Sequence, residues 1–176
     1  MLLGNIRSMQ FAIDHAGSTC PIVLLEWSKR LQAEGLGAHR ADVETLAKTL
    51  ATLAEPTSNK LPPISEDQVM GTARDACPRW LITWSQDLQV HGRSADCQTV
   101  ARGARTITNI AQEELKQGVI PDKKAAEIMF EYNEAIAKAS DAAASYCSSG
   151  RETDLDAVSR YQAEALALEK KLDGSI

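Results

Sequence analysis

Hydrophobic residues recur at steps of three and four positions along most of the chain, which is the spacing of an amphipathic α-helix. The segment 40–54 shows this spacing clearly, since Val43, Leu46, Leu50 and Leu53 fall on one helical face. We find no convincing example of the alternation of apolar and polar residues that is typical of a strand. The pattern therefore predicts an all-α fold, a compact bundle of seven to eight helices.

Prolines, glycines and short polar runs divide the chain into the predicted helices. A first helix ends before Gly17, and the stretch from Pro56 to Ile64 is a linker rich in helix breakers. The chain of 176 residues has an ordinary length for one domain. We therefore expect residues 1–176 to form a single all-α domain. The predicted helices span about 6–16, 21–34, 40–54, 65–76, 78–91, 94–117, 121–148 and 153–172.

The chain contains an internal repeat. A shift of 57 places aligns residues 20–35 with 77–92, and eight of the sixteen pairs are identical, among them a Cys-Pro pair, a Trp-Ser pair and the final glycine. We interpret the repeat as a duplicated helical hairpin, each copy preceded by a short helix, with units at 6–55 and 65–117. The predicted C-terminal helices, 121–148 and 153–172, follow the second unit. Two copies with extra helices favour one closed bundle over a solenoid.

The four cysteines are Cys20, Cys77, Cys97 and Cys147, and their even number fits two disulfides in an oxidising compartment. Four buried free thiols in a cytosolic protein are the alternative. Cys77 and Cys97 start successive antiparallel helices and so lie about 20 Å apart, beyond the reach of a disulfide. Cys97 and Cys147 fall at the same end of one hairpin. We therefore predict the pairs Cys97–Cys147 and Cys20–Cys77.

The charge of the chain limits its partners. A formal net charge of −5 argues against nucleic acid and anionic membranes, because both require clustered Lys and Arg. No apolar run approaches the roughly 18 residues that span a bilayer, so we expect no membrane insertion. The first residues lack the features of a signal peptide, so the chain either stays in the cytoplasm or is numbered from a mature start. The cysteines favour a periplasmic or secreted location, with the cytoplasm as the alternative.

The sequence carries no recognisable catalytic or cofactor motif. It has no Gly-x-Ser-x-Gly, Walker or dinucleotide-binding pattern, and His15, His39 and His91 are scattered. The Cys-Pro pairs at 20–21 and 77–78 match a thiolate haem ligand, but proline at a first helical position explains them. We therefore predict that the protein is not an enzyme and binds no cofactor or metal. A catalytic triad that only the fold assembles stays open.

Trp80 departs from the repeat, since its equivalent in the first copy is Val23. It stands one helical turn before Trp84 and lies on the same side of the helix. Trp80 either fills a wider part of the core or forms a partly exposed anchor for a partner, because tryptophan is enriched in binding hot spots.

Glu127, Glu131 and Glu134 lie together on the longest predicted helix. A di-iron carboxylate bundle would require Glu-x-x-His pairs on two helices, and the sequence has none. These glutamates are typical of a solvated face with i,i+4 ion pairs, and the alternative is a partner surface. If a partner binds, we expect it to use these residues, Trp80 and the linker 56–64.

Size and composition favour a non-enzymatic protein-binding helical domain of the bacterial envelope or secreted space. Inhibitor, immunity and accessory proteins that act by protein–protein contact are of this kind. The alternative is a carrier of a small apolar ligand, a lipid or haem, in a cavity between helices. An apolar cavity of roughly a few hundred Å³ would favour the carrier. A sealed core with an exposed acidic or Trp80-centred patch would favour protein binding.

Overall fold

A computed structural model describes residues 2–54 and 66–174, and every regular element within them is helical. A π-helical segment joins the fourth helix to the fifth. The described bundle has seven helices if these two joined helices are counted as one, and eight if they are counted separately. The predicted all-α bundle is confirmed. The predicted linker, 56–64, lies outside the described residues. The helices are α1 (Leu2–Ser18), α2 (Cys20–Ala33), α3 (Arg40–Leu53), α4 (Glu66–Gly71), α5 (Cys77–Val90), α6 (Ser94–Lys116), α7 (Lys123–Ser149) and α8 (Glu152–Gly174).

The first helix does not end at Gly17, as the sequence suggested, but continues to Ser18. A Cβ atom placed on Gly17 would lie 2.9 Å from the Cβ of Ala54, closer than side chains normally approach. The glycine therefore allows the end of α1 to pack closely against the end of α3. Its role is contact between helices, which a sequence pattern does not distinguish from a helix stop.

The path from Glu66 to Val90 is continuous, because the π-helical segment Thr72–Ala76 lies between α4 and α5. The backbone N–H of Cys77 donates to the carbonyl oxygen of Thr72, the five-residue step of a π-helix. Pro78 follows at the first turn of α5, where its missing N–H costs little. The proline therefore does not separate two helices, contrary to the sequence prediction.

Two disulfides link the bundle. Cys20 is bonded to Cys77 with a Cα–Cα distance of 5.7 Å, and Cys97 to Cys147 with a distance of 5.6 Å. These are the pairs expected from the repeat and the helix lengths, and they leave no free cysteine. All four side chains are buried. Two disulfides indicate an oxidising compartment.

Residues related by the shift of 57 make the same hydrogen bonds. Ser28 Oγ donates to the carbonyl of Leu25, and Ser85 Oγ donates to that of Ile82, both at 2.6 Å. Each helix is followed, two residues after its end, by a glycine with positive φ, 81° at Gly35 and 75° at Gly92. After each glycine, one backbone bond returns to the last buried leucine of the helix. The aligned sequences therefore adopt matching local structures.

The two hairpins contact each other through equivalent residues. The bond Cys20–Cys77 joins one such pair, and Leu46 contacts its equivalent, Gly103, where α3 crosses α6. The packing is also reciprocal, since α1 lies on α5 while α4 and the π-helical segment lie on α2. In two places a residue of one half contacts its own equivalent in the other half, and the first helix of each half packs on the other half. An approximate two-fold axis between the halves would produce both features.

The long hairpin α7–α8 packs on the second half, with α7 against α5 and α6. The buried face of α7 is formed mostly by small residues, including Ala135, Ala139 and Ala143, which allow close helix contact. A single buried cluster runs through both halves and includes Trp27, the largest fully buried side chain. Within the described residues, no helix combines the length and apolar character needed to cross a bilayer.

Candidate binding groove

An open groove of about 640 Å³ lies between α1, α5 and α8, with Trp80 in its wall. Its position follows from the exchanged packing, because α1 of the first half lies beside α5 of the second. Gln162 and Leu166 of α8 complete the lining. We call this feature the Trp80 groove. The residues that line it are Met9, Phe11, Ala12, Ala76, Arg79, Trp80, Thr83, Gln162 and Leu166.

The rim of the Trp80 groove is apolar and exposed. Phe11 is 54% exposed, Met9 42% and Leu166 41%, although each is a large apolar side chain. Such side chains scattered singly over a surface are ordinary, whereas several around one concave site indicate an interaction surface. The groove therefore combines shape with apolar area that a partner can bury.

An aromatic cluster forms the end of the groove nearest α1. The rings of Phe11 and His15 stack with centroids 4.0 Å apart, and Trp80 lies 6.0 Å from Phe11 and 4.9 Å from His15. His15 Nδ1 lies 2.8 Å from the carbonyl oxygen of Phe11, and it must donate because a carbonyl only accepts. The three rings hold one another in place, so the Trp80 side chain is preorganised.

Among the described residues that line the groove, Arg79 is the charged one. Its Nη1 donates to Glu169 Oε2 of α8 at 3.1 Å, which ties α5 to α8 along the groove. Asp75 lies in the π-helical segment that precedes α5, and its burial raises the pKa of its side chain to about 6. Burial also raises the pKa of Tyr132, whose hydroxyl donates to the carbonyl of Asp75 at 3.3 Å. Hydrogen bonds to Glu169 and between Tyr132 and Asp75 thus hold the polar part of the groove, around Arg79, in place.

A buried ionic network is centred on Arg74 of the π-helical segment. Glu114 is only 1% exposed and receives hydrogen bonds from Arg74 Nε and Nη2, each at 2.8 Å, and from Trp27 Nε1 at 3.1 Å. Arg74 also reaches Glu34 at 3.5 Å. Although burial opposes it, hydrogen bonding from Arg74 holds the pKa of Glu114 below its usual value. This network joins α2, the π-helical segment and α6.

Glu34 is the second carboxyl group of this network. Its burial, with the hydrogen bond to Glu114 and the charge of Glu114, raises the pKa of Glu34 to about 7. Glu34 Oε2 is buried and otherwise has no hydrogen-bond partner among the described residues. A proton on this oxygen lets it donate to Glu114. The two carboxyl groups therefore share one arginine and one proton. We regard their role as structural. A cavity of about 60 Å³ lies beside them.

The predicted acidic residues do not belong to the Trp80 groove. Glu127, Glu131 and Glu134 are exposed, and the last two line a separate groove of about 360 Å³ between α7 and α8. Lys138 and Lys171 lie in the same lining, so this groove carries both signs of charge. It shares no lining residue with the groove around Trp80. The structure therefore separates the two predicted partner surfaces.

Sequence reasoning identified Trp80 but missed the exposed residues around it. Extending the register of 57 toward the N-terminus pairs Phe11 with Gln68 and Met9 with Glu66, so two apolar residues stand where the second copy is polar. That mismatch was an available signal. Leu166 offered no such signal, because the residues around it in the sequence belong to the predicted buried face of the last helix. Glu114 was also missed, although it continues the buried side of α6 three residues after Ala111.

These features define a class of protein, an all-α helical bundle with two disulfides and an open apolar groove at its surface. Within the described residues, no three His, Cys, Asp or Glu side chains come together as metal ligands. Comparisons with protein-family models, with curated proteins and with solved structures find no match to this chain.

Proposed function

We propose that this chain is a non-enzymatic protein-binding domain of the bacterial envelope or secreted space. It acts as an inhibitor, immunity or accessory protein by protein–protein contact, and the partner binds in the Trp80 groove. The single observation that carries this proposal is the exposed apolar rim of Phe11, Met9 and Leu166 around a partly buried tryptophan. A tryptophan in a concave site with apolar surroundings has the character of a binding hot spot.

The departures from the repeat support this choice of site. The groove residues Trp80, Phe11 and Met9 align with Val23, Gln68 and Glu66 of the opposite copies. The packing seam, by contrast, keeps identical residues such as Trp27 and Trp84. The residues around the groove thus differ between the copies, while the two tryptophans of the packing seam are identical. We infer that the groove serves a role beyond stability.

The disulfide Cys20–Cys77 supports a preformed site. Cys20 is the first residue of α2, two positions after the last residue of α1, and Cys77 is the first residue of α5, so the bond holds the C-terminal end of α1 near the start of α5. A wall held in place before binding loses less conformational freedom when the partner arrives. An oxidising compartment agrees with this arrangement, because the bond must persist there.

A carrier of a small apolar ligand is the second candidate. The volume of the Trp80 groove, about 640 Å³, lies within the range of small-molecule sites. We rank this function second because small-molecule sites bury most of the ligand surface, while the rim of this groove is open and half exposed. The helices of the core are closely packed through alanine, which leaves little room for a lipid or haem between them.

The test is site-specific photo-crosslinking in the native envelope and secreted fractions. A photoreactive residue replaces Leu166 in the groove, and a matched chain carries it at Val90, which is 72% exposed and lies outside the groove. We expect position 166 to give one protein adduct that position 90 does not. The adduct should disappear in the Trp80→Ala variant, with an unchanged circular dichroism spectrum as the control for folding.

The same preparation separates the two candidates. Native mass spectrometry of the chain isolated from its source would reveal a retained lipid or haem, and such a mass would replace the protein-binding proposal by the carrier. Equal adducts at positions 166 and 90, or an adduct that survives Trp80→Ala, would overturn the assignment of the groove.

A further inference from the structure

A small cavity between the π-helical segment, α6 and α7 is lined by a residue with an unsatisfied polar atom. The cavity has a volume of about 60 Å³, and Asn133 of α7 belongs to its lining. Asn133 is only 1% exposed, and its Oδ1 has no hydrogen-bond partner among the described residues. A buried acceptor without a partner is costly, so its presence beside a cavity indicates a group that enters the cavity and donates to it. We call this feature the Asn133 cavity.

The size and lining of the Asn133 cavity limit what it can hold. A volume of about 60 Å³ has room for a few water-sized groups, so the ligand is small. The apolar residues of the lining are Ala111, Leu115, Val119, Ile120 and Met129. The last four of these are partly exposed, whereas Asn133 and Ala111 are buried. A ligand that enters from the surface therefore passes apolar side chains before it reaches Asn133.

The hydrogen bonds already made in the lining require that the ligand is a donor. Glu114 accepts three hydrogen bonds from Arg74 and Trp27 and shares a fourth with Glu34, so its two oxygens are fully occupied. Asn133 Oδ1 is the acceptor that remains, and a carbonyl oxygen can only accept. The ligand must therefore carry an N–H or O–H group.

The carboxyl groups beside the cavity favour a positive charge on that donor. Glu34 and Glu114 share the guanidinium of Arg74, and Asp75, the next residue, is a third carboxyl group. Burial, followed by the hydrogen bond to Glu114 and its charge, raises the pKa of Glu34 to about 7, although the charges of Arg74 and Arg30 oppose this. Glu34 thus keeps a proton close to neutral pH, which indicates that the network is short of positive charge.

Asp75 shows the same shortage. Its burial raises its pKa to about 6, and the charges of Glu169 and Glu114 act in the same direction, against those of Arg74 and Arg79. Arg79 is already paired with Glu169 at 3.1 Å. Both Asp75 and Glu114 belong to the lining of the cavity, so a cation there would favour the ionised carboxyl groups and an anion would be repelled.

We infer that the Asn133 cavity binds a primary ammonium group on a short alkyl chain. An ammonium group has three donors and no acceptor, so one N–H donates to Asn133 Oδ1 while the charge is stabilised by Asp75 and Glu114. The alkyl chain packs against the apolar residues of the lining. A metal ion fits less well, because it would need several oxygen ligands in place of these apolar side chains. The cavity shares no lining residue with the Trp80 groove, so the inference does not depend on the proposed function.

The test is a titration of the purified chain with n-butylammonium chloride, followed by two-dimensional NMR of its amide groups. We expect saturable shifts of the Asn133 side-chain amide and of the backbone amides of Val119 and Ile120, in the millimolar range that suits so small a ligand. The controls 1-butanol and ammonium chloride each lack one part of the ligand and should bind several-fold more weakly. No saturable shift, or an equal response to 1-butanol, would overturn the inference, and a cavity that holds only water would give the first result.

Three variants locate the binding. Asn133→Leu removes the acceptor and should abolish the shifts. Met129→Ala changes a partly exposed residue and enlarges the cavity, so it should raise the affinity for n-hexylammonium several-fold relative to n-butylammonium, which keeps the test decisive if Asn133→Leu does not fold. Glu127→Gln is the matched control, because it removes an exposed negative charge of α7 outside the lining and should leave binding unchanged. Weaker binding in Glu127→Gln than in Asn133→Leu would contradict the inference.

The ammonium group has two sources, a free amine or the lysine side chain of a partner protein. Native mass spectrometry of the chain isolated from its source would reveal a free amine as an added mass, which Asn133→Leu should lose. A photoreactive residue at position 120, in the lining, would crosslink to a protein that inserts a lysine, and an excess of n-butylammonium should prevent that adduct. An adduct that persists in the excess amine would exclude lysine as the source.

Discussion

Glu114 illustrates how individual residues set the character of this bundle. A charged group that is 1% exposed is tolerated because Arg74 and Trp27 supply three hydrogen bonds to its two oxygens. Removing one partner of such a pair costs more than the pair contributes, since a buried charge would then be left uncompensated. The network therefore fixes the relative position of three elements and introduces groups that titrate near neutral pH.

Stability should fall as the pH rises from about 4.5 to about 7, because burial raises the pKa of Glu34 to about 7 from its ordinary value of 4.5. In that pH window the folded state binds more protons than the unfolded state. The contribution of Glu34 to the free energy of unfolding is therefore complete below pH 4.5 and decreases as the pH rises to about 7. Asp75, whose burial raises its pKa to about 6, acts in the same direction.

The variant Glu34→Gln isolates this contribution, since an amide keeps a donor for Glu114 at every pH. Urea unfolding at several pH values should show a smaller slope than the parent chain between pH 5 and 7.5. The exposed change Glu26→Gln is the matched control and should keep the parental slope. The same slope in Glu34→Gln and the parent would show that Glu34 does not carry the effect.

Gly103 predicts a second effect at the residue scale. A Cβ there would lie 2.6 Å from Leu46 Cδ1, so Gly103→Ala should destabilise by about 1–3 kcal/mol despite the better helix propensity of alanine. Gly71→Ala is the control, because nothing lies within 4 Å of its added Cβ and the change should stabilise by about 0.5–1 kcal/mol. Chemical denaturation measures both. The loss in the double variant Leu46→Ala, Gly103→Ala should be smaller than the sum of the two single losses, and additive losses would argue against this contact.

At the scale of elements, the two disulfides hold different parts of the bundle. Cys97–Cys147 ties the start of α6 to the end of α7 across 50 residues, while Cys20–Cys77 ties the two halves across 57. In the chain-entropy view, loops of this length stabilise by about 4 kcal/mol each. The bonds also lie inside the protein, so reagents reach them only when helices open.

Reduction should therefore require unfolding. We expect dithiothreitol alone to leave both bonds intact over hours, because the four cysteines are at most 1% exposed. Addition of urea below the unfolding midpoint should accelerate reduction in proportion to the open population. Alkylation followed by mass spectrometry counts the released thiols. Rapid release of two thiols in native buffer would show that one bond lies in a region that opens locally.

The sequence was a good guide to elements and a poor guide to contacts between them. Periodicity predicted every described helix, since each buries one face on the core, and helix lengths gave both disulfide pairs. The exchange of α1 and α4 between the halves was not predictable, because an apolar face does not specify which other face covers it. The same limit hid Phe11 and Leu166, which reach the groove only through that exchange. Trp80 was found because it differs from its equivalent in the internal repeat, Val23.

At the scale of the whole molecule, the exchanged helices make each half incomplete without the other. The α5 helix is covered by α1, and α2 by α4 and the π-helical segment, so neither half can bury its own apolar surface alone. Shared burial of this kind produces one cooperative unit. That residues 1–176 form a single domain stays a prediction, which the unfolding of the chain can test.

Equilibrium unfolding should accordingly follow one transition. Fluorescence of the buried residues Trp27 and Trp84, one in each half, should change at the same urea concentration as far-UV circular dichroism. Calorimetric and van't Hoff enthalpies should agree. Two separated midpoints would instead indicate halves that unfold independently.

The disulfide between the halves also sets an order in time. In a chain that crosses a membrane from its N-terminus, Cys20 emerges first, and its native partner, 57 residues later, is the next cysteine to follow. Cys97 and Cys147 emerge after them and are partners of each other, so oxidation in the order of emergence forms both native bonds. The maturation of this protein should therefore not require a disulfide isomerase, and cells that lack one should still accumulate chains with the bonds Cys20–Cys77 and Cys97–Cys147.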